Sequence, residues 1–474
     1  MNLNPDPEMI LLHPLNYHKN SNLDSEKFLP SFSDFNEDEF KNVPIITGDA
    51  ATLSNHQFPQ RTILGTVISQ HARDFPKNLQ IPKLYINTNT PFSAIICGVQ
   101  GSGKSHSASV LLEGCLINDK RIGNLPKPLI GLCLHYDPGQ ANLPCEAAYL
   151  AIKTNNPQIT NPSPPKVPVT VLVSPHYIGK MKSVYSKINQ VKILPFYISQ
   201  SSLNASRILS LMGFTEGLVM PLYLQRAMTI LRQMGGDKFN YQAFKTKMNE
   251  EDLNPAQRSG FLMRTEMLES YLTNKDHPDM TSYFQPGRLL IIDLRDPFIN
   301  SSLVSVLFDI VLGLFIESKM GTGKVLLLDE AHKYLNTSTG SAQLTHSITS
   351  LIRQQRHFGI RTLISTQEPT IIPSTMLDIA SFILIHRFSS PSWAKHLNNH
   401  ICCEYDDTKN DFDWFNIASR ARLGEAILVA PTGLGLAKKN NQSTLMPLST
   451  GFLLIQTRKR LTFDGGASIL AHKV

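Results

Sequence analysis

Short apolar runs and amphipathic stretches alternate along most of this chain. Thr62–Ser69 predicts a short strand, and Phe92–Gly98 (FSAIICG) a compact β run followed by an apolar-periodic helix from Lys104 to about Ile117. Pro128–Tyr136 predicts a second buried strand ending at Asp137. A Pro- and Asn-rich loop, Asn155–Pro168, then leads into a strand at Val169–Val173. The stretch 202–274 keeps helical spacing. Strands resume at Arg288–Leu294 and Lys324–Leu328 with a helix, Ser302–Ser318, between them. A helix over about Gln343–Phe358 leads to the strand Arg361–Thr366. The last third is β-like, with strands at Phe382–His386, Glu425–Val429 and Phe452–Gln456 and a terminal RLTFDGG segment, Arg460–Gly466. Strand–helix alternation over this distance predicts an α/β fold with a mostly parallel sheet covered on both faces. The expected organisation is an acidic, poorly ordered arm over 1–58, the first part of the core over 59–201, a helical insertion over 202–274, and the β-rich second part over 275–474.

Composition narrows the class. Of 474 residues, 42% are apolar, ample for a large core. The longest apolar stretch, around Leu303–Ile316, is interrupted by Asp309 and falls short of the ~20 residues a spanning helix needs. The N-terminus has no basic region followed by an apolar core, and the six cysteines form no CxxC pair. These features predict a soluble intracellular protein, cytoplasmic or nuclear, without membrane association. Charge is unevenly distributed: nine acidic and three basic residues in the first 60 leave the remainder at +13 within a net charge of +7. That is an acidic leader on a mildly basic body.

One motif carries most of the chemistry. Gly98-Val99-Gln100-Gly101-Ser102-Gly103-Lys104-Ser105 matches G-x-x-x-x-G-K-[ST] between a predicted strand and a predicted helix. Glycines let backbone N–H groups curl around phosphate oxygens while the helix presents its positive end. Lys104 would bridge the β- and γ-phosphates, Ser105 would ligate magnesium, and His106 continues the nucleotide-binding segment. A chance match arises in roughly one chain in a hundred of this length, before the strand–helix context is required. Gly321-Thr322-Gly323-Lys324 is a decoy, because Val325 follows where Ser or Thr should stand; it reads as a turn.

Val325-Leu326-Leu327-Leu328-Asp329-Glu330 is an apolar strand delivering two carboxylates. Asp329 suits the magnesium site, and Glu330 could polarise the attacking water. Asp329-Glu330-Ala331-His332 also spells the DEAH tetrad of a helicase class. Its 225-residue separation from Lys104 and the absence of an arginine-rich downstream segment argue against that class. Nothing resembling a transporter-type signature precedes the acidic strand.

The segment Leu351–Pro369 (LIRQQRHFGIRTLISTQEP) resembles the HerA/FtsK superfamily of ring-forming P-loop ATPases, the HerA branch most closely. Similar elements are His135–Gln140 (HYDPGQ), Pro286–Leu294, Leu326–Leu335 and Ala421–Leu428, in the family's order. The resemblance spans about Arg61–Val429, and it implies a P-loop fold of the additional-strand, catalytic-Glu type. It implies ATP and Mg2+ as ligands, Arg356 as a finger reaching into a neighbour's site, Gln367 as a γ-phosphate sensor, and Asp137 as an acidic group near the water. Arg353 and Arg361 are open alternatives for the finger. A homo-oligomer, a hexamer in that family, and duplex DNA are the partners the resemblance implies. The family's N-terminal β-barrel is expected to be absent or reduced to one strand near Thr62–Ser69. The 202–274 helices either replace it or hold a protein partner. Two functions remain from sequence: a DNA-translocating motor, or a nucleotide-dependent switch or scaffold. Arg458-Lys459-Arg460 is expected on a sheet surface.

Overall fold

The computed structural model describes residues 6–13, 41–53, 58–72, 75–140, 142–160, 163–211, 222–235, 239–272, 278–335, 342–401, 413–439 and 442–466. Its strands are, in chain order, β1 (Ile45–Thr47), β2 (Arg61–His71), β3 (Lys83–Ile86), β4 (Ser93–Cys97), β5 (Gly123–Asn124), β6 (Ile130–His135), β7 (Val169–Val173) and β8 (Lys192–Pro195). There follow β9 (Leu289–Asp293), β10 (Lys324–Asp329), β11 (Ile360–Thr366), β12 (Phe382–His386), β13 (Glu425–Val429), β14 (Leu434–Lys439), β15 (Gln442–Pro447) and β16 (Phe452–Thr457). They form one sheet in the order β15-β14-β1-β3-β2-β16-β13-β12-β4-β11-β10-β6-β9-β7-β8, with β5 pairing β2.

From β12 to β8 every pairing is parallel. Alternate residues of one strand serve opposite faces. Ile130, Leu132 and Leu134 of β6 join the core beneath the helices Ser301–Glu317 and Ala342–Arg353. Cys133 joins the core under the P-loop helix Lys104–Leu116 and the helix Ile178–Tyr185. With both faces dry, the strands carry apolar residues throughout, and for that reason they stand out in the sequence.

Among the described residues of 202–274 lie the helices Ala205–Leu211, Leu222–Met234, Tyr241–Glu250 and Pro255–Glu269. Asn254 and Gln257 form a reciprocal capping box at the start of the last one. Phe244 and Phe261 stack edge to face, 6.4 Å apart, and belong to the main core rather than to a separate one. The predicted helix 343–358 breaks at Gln354 into Ala342–Arg353 and Gln355–Phe358, and Gly359 ends the second at φ +62°.

Three expectations are corrected. The N-terminal β region exceeds one strand: β1, β2, β3, β14, β15 and β16 extend the sheet beyond β13, over a small core of Val43, Ile46, Ile63, Tyr85 and Leu434. No pairing closes it into a barrel among the described residues. The arm expected over 1–58 is in part structured. Lys83 Nζ donates to Asp6 Oδ2 and Glu8 Oε2, both at 2.6 Å, and Leu11 is fully buried. Residues 41–53 supply β1 and a helix, whereas 14–40 lie outside the described residues. The basic trio is not a sheet surface. Arg458 is 0% exposed and pairs with Glu113 of the P-loop helix at 2.7 Å; buried Arg460 reaches Glu146 at 2.7 Å. Among the described residues no helix is long and apolar enough to cross a membrane.

Candidate nucleotide-binding and hydrolysis site

The loop after β4 is built for a close backbone path. Gly98 has φ +150°, and a Cβ there would meet Cβ of His386 at 2.8 Å. Gly103, at φ +109°, turns the chain into the helix Lys104–Leu116. The first helical bond is Ser107 N–H to the Gly103 carbonyl, so the N–H groups of Lys104, Ser105 and His106 precede the ladder and face forward. Lys104 Nζ donates to the Val99 carbonyl at 2.9 Å within its own loop. Burial lowers its pKa, although the Glu330 and Asp329 carboxylates favour its charge. The Ser102 hydroxyl is buried without a partner. His106 differs from the rest of the segment. Its ring contacts Asp464 Oδ2 at 2.7 Å and the Arg458 carbonyl at 2.9 Å, so the side chain secures the C-terminal segment rather than pointing at a ligand.

Parallel pairing places β11 between the P-loop strand β4 and the acidic strand β10, with Thr366 opposite Cys97. Asp329 ends β10, and Glu330 follows in the left-handed region at φ 52° and ψ 43°. That conformation costs a non-glycine residue about 1 kcal/mol or more, and such strain concentrates at functional sites. The fold is that of a P-loop NTPase.

Gln367, just past β11, donates from Nε2 to Glu330 Oε1 at 2.7 Å. Glu330 Oε2 is buried and accepts no hydrogen bond. His332 Nδ1 lies 3.5 Å from it but instead accepts from the Gln367 N–H at 3.4 Å. Burial and the Lys333 charge depress His332 to about 4, so it is neutral at pH 7. Burial and the Asp329 charge raise the Glu330 pKa. Burial would also raise Asp329, but the His135 hydrogen bond and charge, together with Lys104, hold it below the usual carboxylate range. Asp137 is 4% exposed, caps its own turn by accepting from the Gly139 N–H at 3.1 Å, and is close enough to act on Glu330 and His332.

The structure therefore brings together the P-loop, Asp329, Glu330, Gln367 and Asp137. It does not bring Arg356. That residue is exposed on the short helix before β11, at the strand's opposite end, ~20 Å away at about 3.3 Å per residue. Arg353, on the preceding helix, is also exposed. Arg361 is buried and donates to the carbonyls of Gly359 and Asn89, so it is held inside its own chain and cannot reach a neighbour.

Sequence reasoning missed a buried polar row beside the site. Register sets Asp329 of β10 opposite His135 of β6, and His135 opposite Asp293 of β9. Arg295 clamps both Asp293 oxygens at 2.8 and 2.6 Å, and its other arm donates to the Gln140 and Leu143 carbonyls, fixing the loop after Asp137. A signal was available, since His135 and Asp293 each end an apolar run, but only pairing register makes them neighbours. His386 was missed as well. Its Nδ1 must donate to the Glu425 carbonyl at 3.1 Å, so Nε2 accepts from Ser107 at 3.0 Å beneath the P-loop.

Magnesium fits the residues present. Ser105 stands in the first turn of the P-loop helix, and Asp329 has Oδ2 engaged by His135. No protein donor reaches Asp329 Oδ1 among the described residues. His135, Cys145 and Asp329 also place ligand-type atoms within 4.8 Å of one another. Two of these residues, His135 and Asp329, are already hydrogen-bonded to each other at 2.8 Å.

No family model matches the chain, and no curated protein matches it. Among solved structures it is similar to VirB4 of Thermoanaerobacter pseudethanolicus, at 10% identity and TM-score 0.46, over 83% of this chain and 96% of that one. It is similar to the bacterial conjugative coupling protein TrwB, at 10% identity and TM-score 0.38, over 86% and 98%. A third is the genome packaging NTPase B204 from Sulfolobus turreted icosahedral virus 2 in complex with ATPγS, at 10% identity and TM-score 0.27, over 76% and 98%. Likeness this distant describes fold class alone, and the chemistry rests on the chain's own residues.

Proposed function

We propose that the chain is an ATPase that hydrolyses ATP between Gly98–Ser105 and the Asp329–Glu330 pair, acts as a homo-oligomeric ring, and moves duplex DNA. One observation carries the hydrolytic part. Glu330 is held in a strained backbone state with one carboxylate oxygen pinned by Gln367 and the other buried, unpartnered and beside Asp329 and Lys104. A buried acceptor left open is costly unless a ligand completes it, and a water poised for attack would do so.

In this reading Lys104 exchanges the Val99 carbonyl for the β- and γ-phosphate oxygens, and the P-loop N–H groups and Ser102 hold the remainder. When bound, magnesium neutralises charge on those oxygens, and Ser105 and, through water, Asp329 would hold it. Glu330 Oε2 takes a proton from the water as its oxygen bonds to the γ-phosphorus, and the bond to the β–γ bridging oxygen breaks to release ADP. Gln367 keeps the carboxylate aimed, and Asp137 adds negative charge that strengthens the base. Arg356, exposed and far from its own site, would serve a neighbouring subunit.

The DNA and ring parts rest on the motif resemblance. The net positive charge of the body would favour a polyanion such as duplex DNA. The test is steady-state ATP hydrolysis with and without long duplex DNA at low salt, with Glu330→Gln as the blank. A DNA-dependent rise supports the motor. Basal turnover indifferent to DNA overturns it and moves the search to protein partners of the 202–274 helices, where Met263 is 68% exposed. Lys104→Ala should abolish nucleotide binding; retained binding would overturn the site itself.

A further inference from the structure

We infer that His135 is a positioning residue for the acidic strand: it orients the Asp329 carboxylate so that its free oxygen faces the magnesium site. The inference rests on the nucleotide-site reading above and names a residue that reading does not use.

Three observations carry it. First, β6 and β10 pair in parallel with His135 directly opposite Asp329, so the two side chains leave the same face of adjacent strands. Second, Nδ1 of His135 donates to Asp329 Oδ2 at 2.8 Å with both residues buried, whereas the Cys145 thiol contact to the same oxygen is long, at 3.8 Å. Among the described residues the imidazole is therefore the one strong donor that fixes the rotation of this carboxylate, and its bond to Oδ2 leaves Oδ1 without a protein donor. Third, the other ring nitrogen, Nε2, is buried and has no hydrogen-bond partner. Buried imidazoles retained for packing alone ordinarily satisfy both nitrogens. Here the cost of an orphaned nitrogen is accepted for the contact with Asp329.

The ring is in turn held by its surroundings. Asp293 stands opposite it on β9 and is clamped by Arg295 and by the Tyr185 hydroxyl at 2.7 Å, so the floor beside His135 is fixed. Partners that orient a metal-binding carboxylate in this way contribute roughly ten- to hundredfold to metal affinity or activity when removed.

The test compares wild type, His135→Leu and His135→Asn in the full-length protein. Binding of a fluorescent ATP analogue is titrated against Mg2+ and repeated in EDTA, and thermal melting reports folding. His135→Leu should raise the Mg2+ concentration for half-maximal effect about tenfold while leaving binding in EDTA unchanged. His135→Asn, whose amide can still donate toward Asp329, should recover part of that loss. If the Mg2+ curves of wild type and a folded His135→Leu superimpose, or if Asn behaves as Leu does, the positioning role is overturned. If His135→Leu fails to fold, the Asn variant decides: a Mg2+ curve as weak as that of Asp329→Asn overturns the inference, and an intermediate one supports it. Wild type that binds no nucleotide at all overturns the site reading instead, so the two failures are distinguishable.

Discussion

Gln367 Nε2 donates to Glu330 Oε1 across 2.7 Å and so ties together the ends of two strands, β10 and β11. The bond does two things. It sets the direction of the carboxylate, and by favouring the ionised form it partly offsets the burial that raises the Glu330 pKa.

Removing that donor has a signed consequence. Gln367→Leu is expected to lower kcat by roughly a hundredfold, within the range a positioned base contributes, with nucleotide affinity little changed. Because the lost hydrogen bond favoured the charged carboxylate, the Glu330 pKa rises further, and the acidic limb of the kcat profile moves to higher pH. Activity profiles of wild type and variant between pH 5 and 9 measure this directly. Glu330→Gln should bind nucleotide and not turn it over.

Arg356 lies at the far end of β11 from Gln367, so under the proposed function it would act on ATP only across a subunit boundary. Arg356→Ala should reduce turnover by about 10³-fold without altering assembly. Mixing it with Glu330→Gln is more revealing. In mixed rings an Arg356→Ala subunit keeps its Glu330 and receives an intact arginine from its neighbour, so the mixture should exceed both parents. Activity no greater than the sum of the parents would exclude the trans arrangement.

The Glu113–Arg458 pair ties the P-loop helix to the C-terminal segment with both side chains fully buried. Burial alone would raise Glu113, but Arg458 and Arg460 hold it below the usual range. Glu113→Ala leaves buried guanidinium charge uncompensated and should cost about 3–5 kcal/mol by chemical denaturation. Replacing Glu113 and Arg458 together by apolar residues should cost less than this single change, since the uncompensated charge is then removed.

His386 under the P-loop predicts an acid-sensitive step. Burial, reinforced by Lys104, depresses its pKa from 6.5 to about 3. Above pH 6.5 it is neutral in both states, and its contribution to stability is fully present. As pH falls from 6.5 to about 3 the unfolded chain takes up a proton that the native state refuses. Stability therefore drops by up to ~1.4 kcal/mol per pH unit from this group. Urea denaturation at pH 7, 6, 5 and 4 should show a shallower decline for His386→Gln than for wild type.

The sequence alone determined the strands that are buried on both faces, because their signal is local. Ile130–His135, Leu289–Asp293 and Lys324–Asp329 are apolar runs closed by polar residues, and each appears where the pattern places it. The P-loop was equally legible, since its chemistry resides in eight consecutive residues. Tertiary structure decided whatever depends on residues distant in the chain. β1 and β3 are three and four residues long, too short for a periodic signal, and exist because neighbouring strands pair with them. Asp6 and Glu8 are tied to the body by Lys83, and buried Arg458 draws its counter-charge from Glu113, 345 residues away. His135 becomes Asp329's partner through strand register, across 194 residues, and composition carries no trace of register.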